Sequence, residues 1–183
     1  MTTTKAFLFL YPIQPYFDFE IRHRQADFRQ KYSDLLNLCI DRRYRQKNFT
    51  INYALFDDCQ VADIIKLQPN DKIIKVGLDF SQENTNRTNL YPDADSIIDQ
   101  LGQITTLRLA GFHMWDCVDR LAETAYDKKL DVLVDEDLTE FFSQRLGDTN
   151  FKIATYPSYR PPKHIFGDFI NARQNKPWLH QDY

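Results

Sequence analysis

The strongest constraint on this chain is a regular alternation of short apolar runs with segments of helical period. Lys5-Ala6-Phe7-Leu8-Phe9-Leu10 is a continuous apolar run stopped at Tyr11-Pro12, the pattern of a strand buried on both faces. Comparable runs recur at Phe49–Leu55, Lys72–Val76, Thr105–Gly111, Asp131–Asp135 and Phe151–Tyr156. Between them the spacing predicts an aromatic, proline-containing loop over Tyr11–Phe19 and a long helix from about Ile21 to Arg45. Phe28, Tyr32, Leu35, Leu36 and Cys39 form the apolar stripe of that helix. Further helices are expected at Val61–Leu67, Asp93–Gly102, Asp116–Lys129 and Leu138–Leu146. Strands alternating with helices imply βαβ crossovers. The expected fold is an α/β three-layer sandwich, a six-stranded, mainly parallel sheet with helices on both faces. Ligands of such sheets sit at the carboxyl ends of the strands.

At 183 residues the chain has the length of one domain. Lys and Arg number 23 against 26 Asp and Glu, so no basic excess marks a nucleic-acid surface. The one basic cluster, Asp41–Lys47, ends a helical pattern; it reads either as a helix C-terminus complementing the macrodipole or as a phosphate patch. The apolar run after Lys5 is too short for a secretory h-region, and no stretch approaches the ~20 residues of a membrane span. Three cysteines without paired spacing argue against a disulfide framework. The expectation is a cytoplasmic protein with reduced thiols, no membrane contact and no nucleic-acid partner. Five scattered glycines build no phosphate-binding loop. The polar stretch Leu78–Pro92 has the length of a lid or binding loop. Residues 1–156 form the expected α/β domain. Residues 157–183, with Pro161-Pro162 and Pro177, read as an irregular arm of the same domain that wraps it or reaches a neighbouring subunit in a homo-oligomer.

Chemistry concentrates between Leu107 and Asp137. An apolar strand ends at Gly111, a short turn follows, and Cys117 falls in the first turn of the next helix. A thiol there feels the positive end of the helix, which favours the thiolate, and nearby backbone N–H groups can hold an oxyanion. The alternative is a small buried hydrophobe. His113, in the same turn, is either an acid–base group or a turn residue. Phe112, Trp115, Tyr11, Tyr16 and Phe17 would gather at the strand ends, as the rim of a pocket for a small planar ligand or as its plug.

Gly111-Phe112-His113-Met114-Trp115-Asp116-Cys117-Val118, then Ala122, Ala125 and Val132-Leu133-Val134-Asp135-Glu136-Asp137, resembles the core of the isochorismatase-like cysteine hydrolases. The resemblance runs more loosely from Ala6 to about Leu146. It implies a Cys nucleophile at Cys117, attacking an amide or related carbon of a small molecule, with Lys75 holding the thiolate charged. The backbone around Asp116 and Cys117 would form the oxyanion hole, and Trp115, His113 and Tyr11 would face substrate. The family's Asp at the end of the first strand is missing, since Tyr11 or Pro12 stands in its place. Asp18, Asp57, Asp58 and Asp79 lie near other expected strand ends and are open as replacements. Phe56-Asp57-Asp58-Cys59-Gln60 lacks the histidines through which some relatives bind metal, and His23, His113, His164 and His180 have no ligand spacing, so neither metal nor cofactor is expected. Two other readings stay open. One is a catalytically silent relative that binds a small ligand or a protein partner. The other is a thiol redox sensor, although no resolving Cys lies close to Cys117.

Overall fold

The strand β1 (Lys5–Leu10) is the centre of the molecule, paired in parallel with β2 (Phe49–Leu55) on one side and β4 (Thr106–Gly111) on the other. In the computed structural model, which describes residues 4–84, 90–157 and 173–180, the sheet continues to β3 (Lys72–Lys75) at one edge and β5 (Asp131–Thr139) at the other. The order is β3-β2-β1-β4-β5, and every pairing is parallel. Side chains alternate across it, as the pleat requires. Ala6, Leu8, Leu109 and Val134 meet α4 (Ala94–Gln100) and α5 (Asp119–Asp127) on one face. Phe7, Phe9, Ile51 and Tyr53 meet α1 (Gln14–Ile21) and α2 (Ala26–Arg43) on the other. The three-layer α/β class therefore holds, with five strands among the described residues rather than six. No described helix is long and apolar enough to cross a membrane.

The missing sixth strand has a physical cause. In Phe151–Tyr156 the carbonyls of Lys152 and Ile153 accept from the Arg43 guanidinium, at 2.7 Å each, instead of entering a ladder. The outer edge of β5 is met elsewhere: Val134 N–H donates to the Trp178 carbonyl at 2.8 Å. Other boundaries shift for local reasons. Tyr11–Phe19 is not all loop, because Pro15 lies in the first turn of α1, where its missing N–H costs nothing. The long expected helix is thereby split, and its second part begins at Ala26. Val61–Leu67 is a turn, not a helix. Ser33 and Asn37 of α2 donate to the Ile64 carbonyl and replace the helical bonds. Leu138 and Thr139 belong to β5, leaving only Phe142–Arg145 as α6. Within Leu78–Pro92 a short helix, α3 (Phe80–Asn84), is present, and residues 85–89 fall outside the described residues. Most of the expected arm, including His164 and Pro161-Pro162, also lies outside them. Residues 173–180 pack Trp178 and Leu179 into the α4–α5 side of the core.

Three consecutive carboxylates of β5 are buried: Asp135, Glu136 and Asp137. They lie in an excursion where β5 advances from Val134 to Thr139 while β4 advances only from Leu109 to Gly111. Each meets an arginine from a distant part of the chain. Arg43 at the end of α2 bonds both oxygens of Asp135 at 2.9 Å and reaches Asp137 at 3.0 Å. Arg145 of α6 meets Asp137 at 3.3 Å, and Arg173 holds Glu136. The Tyr44 hydroxyl donates to Asp135 as well. A buried charge loses several kcal/mol of hydration, and only a well-placed opposite charge offsets this. Arg43→Met, measured by urea unfolding, is expected to cost about 3–5 kcal/mol because it strands two buried carboxylates. Lys66→Met, which breaks the exposed, solvent-screened pair with Asp34, is expected to leave the urea midpoint close to that of wild type.

Candidate functional site

Two spaces open at the carboxyl end of the sheet; Cys117 and Tyr11 line one, His113 lines the other, and Lys75, Asp116 and Trp115 line neither. The wall separating them starts at Gly111. Its φ is +112°, and a Cβ there would lie 2.1 Å from the Leu10 carbonyl oxygen, so β1 and β4 can close at this point only on a glycine. Phe112 N–H donates to that same carbonyl at 3.1 Å. The chain then forms a five-residue π-turn, Met114–Val118, that runs into α5. The His113 carbonyl accepts from Asp116 N–H at 3.2 Å and Val118 N–H at 3.1 Å. The carboxylate of Glu140, just after β5, accepts from Met114 N–H at 3.1 and 3.0 Å. A carboxylate thus already occupies the positive end of this helix.

Cys117 is 6 % exposed and belongs to the apolar cluster under α4 and α5. The space it lines, with Tyr11, Tyr91, Ala94, Ile97 and Arg120, is about 20 Å³, room for a single water. Tyr11 stands at the end of β1, 2 % exposed, with its φ at +54° and its ring stacked on Phe56 at 4.4 Å. Lys75 does not line this space. Its ammonium donates to the carbonyls of Phe56, Asp57 and Cys59 at 3.1, 3.2 and 2.8 Å. Its charge acts on the Cys59 thiol, which burial nevertheless pushes up to about 11. Asp116 pairs with Arg120 at the surface, at 2.9 Å, and the Trp115 ring lies under the Arg173 guanidinium, 5.5 Å away. Three of the four aspartates open as replacements have structural partners for their side chains, and Asp79 is bonded through its backbone to Gln82. Asp18 pairs with Arg29, whose hydrogen bond holds its carboxyl below the usual range. Asp57 accepts from Gly77 N–H and Asp58 from Phe80 N–H.

The second space is much larger, about 460 Å³, and lies between α1, the turn after β4 and the turn after β5. His113 lines it, its ring 5.0 Å from that of Tyr16. Phe112 and Phe141 supply apolar wall, and Glu20 and Glu140 supply carboxylates. Glu20 accepts from the Tyr32 hydroxyl at 2.6 Å and from Ser143 N–H at 2.8 Å. Burial pushes its pKa up to about 7 despite those donors, and burial raises Glu140 also. Neither glutamate was singled out by the sequence. Glu20 reads there as one polar residue among aromatics, and Glu140 as part of a helix; only the fold brings them together. Among the described residues no group of three His, Cys, Asp or Glu side chains is arranged to hold a metal ion.

No protein-family model matches the chain, and no curated protein matches it significantly. Solved structures do. A candidate isochorismatase hydrolase from Oleispira antarctica matches over 98% of this chain and 94% of its own, at 14% identity and a TM-score of 0.53. A candidate MAR1 ribonuclease from Leishmania major matches over 79% of this chain and 73% of its own, at 13% identity and a TM-score of 0.51. The N-carbamoylsarcosine amidase of Thermoplasma acidophilum matches over 79% and 94%, at 19% identity and a TM-score of 0.46.

Glu20 also makes stability depend on pH. Its folded-state pKa, about 7, stands above its ordinary value of 4.5, so between these values the folded chain binds more proton than the unfolded one. The stability associated with Glu20 is complete below about 4.5 and is lost as pH rises through 7. Thermal melts of Glu20→Gln should therefore show a gain over wild type that is larger at pH 8 than at pH 4, by up to about 3 kcal/mol. A gain independent of pH would place the carboxylate in water. The likenesses to solved structures, with the strand order and the turn at Gly111, give this chain the isochorismatase-like hydrolase fold.

Proposed function

We propose that this chain is a small-molecule-binding protein built on a hydrolase fold, in which Cys117 is a packed thiol and not a nucleophile. The observation that carries this reading is the space at Cys117. An attacked carbon has to come within about 3–3.5 Å of the sulfur in a near-attack pose. A space of about 20 Å³ walled by Tyr11, Tyr91 and Ile97 excludes even a small amide. The surroundings agree. Where the related hydrolases carry an aspartate, Tyr11 is packed on Phe56. The Lys75 ammonium is held by three carbonyls, and the Asp116 amide expected in an oxyanion hole is spent on His113. The redox reading finds no partner in Cys39, which sits in the core on the opposite face of the sheet, and the Cys59 thiol, on the same face as Cys117, is pushed up to about 11 by burial.

A hydrolytic reading through Cys117 and Lys75 draws support from one feature. Cys117 lies in the first helical turn beyond the carboxyl end of a central strand, beside Arg120. The two readings separate in one experiment. Native protein is treated with iodoacetamide and mapped by peptide mass, and ammonia release is followed on a panel of small primary amides. The expected result is Cys117 unmodified until urea is added, and no ammonia beyond that given by Cys117→Ser. Alkylation of native Cys117 with ammonia release that Cys117→Ser abolishes would overturn the binding reading in favour of the hydrolase.

A further inference from the structure

Five carboxylates near the ends of β5 and α1, three buried and two half-buried, fall into two groups. Asp135, Glu136 and Asp137 each have an arginine. Glu20 and Glu140 do not: among the described residues, neither forms an ion pair with a lysine or arginine, and their donors are a hydroxyl and backbone N–H groups. Both line the 460 Å³ cavity. Its volume lies in the range of small-molecule sites, and its aromatic walls are of the kind that hold a flat ring. Two half-buried carboxylates that repel each other are relieved either by a proton or by a positive charge; His113 acts on Glu140 from the same cavity, and no described lysine or arginine forms an ion pair with either.

We infer that this cavity is a binding site for a small aromatic cation, an amidine, guanidine or amine on a flat ring. Its charged end lies between Glu20 and Glu140, and its ring lies against Tyr16, Phe112 and Phe141. An amidinium or guanidinium presents parallel N–H donors that match carboxylate geometry, and the ring gains from contact with aromatic walls. Arg22 and Arg24, which stack on Phe19 and Phe28, stand exposed, and Arg22, Arg24 and His23 line the cavity with the exposed Phe19. They set the direction of entry, since the cationic end of the ligand is repelled there and drawn to the two glutamates. The inference rests on the ligand-binding reading for its biological meaning, but the site itself does not involve Cys117.

The test is calorimetric titration of the full chain with benzamidine, with benzoate as the like-sized anion. Benzamidine should bind saturably at one site at pH 8, and benzoate at least tenfold more weakly. Affinity should fall as pH drops below 7, because Glu20 takes up a proton. The groups facing Glu20 in that range are Tyr32 from α2, Glu140 after β5, His113 after β4, and Arg22, His23 and Arg24 after α1. Glu20→Gln, which keeps the shape of the side chain, should weaken benzamidine at least tenfold at pH 8 and remove most of the pH dependence. Glu140→Gln should weaken it comparably. Because Glu140 also holds Met114 N–H, a third variant is included: Gln144→Trp, which places a bulky ring at an exposed position of the lining. It should weaken binding without unfolding the chain. Benzoate binding as tightly as benzamidine, no saturable binding of either, or full affinity in folded Glu20→Gln and Gln144→Trp each overturns the assignment. If Cys117 proves hydrolytic while these results hold, the binding reading falls and the cation site stands. If Cys117 is inert and benzamidine fails, the site falls and the reading survives.

Discussion

The pairing of three successive carboxylates with three arginines governs this structure. Asp135, Glu136 and Asp137 sit where β5 leaves its register with β4, and none is accessible to water. Arg43 closes α2, Arg145 belongs to α6, and Arg173 lies close to the C-terminus. One charged knot therefore joins α2, α6, the sheet edge and the segment around Arg173. A core of Phe and Leu tolerates many arrangements of similar volume, whereas a buried carboxylate accepts few partners. The knot fixes which helix end meets which part of β5, while the apolar clusters supply the bulk of the burial. It also directs the path of Lys152 and Ile153, whose carbonyls complete the Arg43 guanidinium.

The same physics accounts for what could be read from the sequence. Local pattern sufficed for β1, β2 and β4. Their apolar runs are buried on both faces, and Pro12 and Gly111 mark where two of them end. Parallel order followed from the alternation with helices. Phe151–Tyr156 misled because its alternation of apolar and polar residues is that of a strand, while its backbone partners lie on a guanidinium far away in the chain. Val61–Leu67 misled similarly, since Ser33 and Asn37 displace the local hydrogen bonds. Pro15 was ambiguous, because a proline at a helix start carries the same letter as one in a loop.

At the carboxyl end of the sheet, sequence located Cys117 and Tyr11 as neighbours, and the missing aspartate was visible in Tyr11-Pro12. The commitment of Lys75 to carbonyls of the β2 loop was not visible, because backbone acceptors leave no trace in side-chain identity. Nor was the cavity of Glu20 and Glu140, whose residues lie far apart in the chain and share no motif. The fold supports both a hydrolase and a binder. The choice between them lies in how space is distributed on the two sides of the turn after Gly111: room for one water at the thiol, and room for a ring at the glutamates.

The contact between Val134 and Trp178 has a consequence for how the molecule behaves in company. A parallel sheet has two rims, and an unpaired rim is a template on which another chain can add a strand. At the β3 rim, a strand of only four residues with lysine at both ends offers a poor template. The β5 rim is longer, and there the segment from Arg173 to His180 takes the Val134 N–H and lays Trp178 and Leu179 over the core. Residues 173–180 thus occupy part of that rim, and a protein shortened before Arg173 would bare the Val134 N–H and the apolar surface under Trp178 and Leu179.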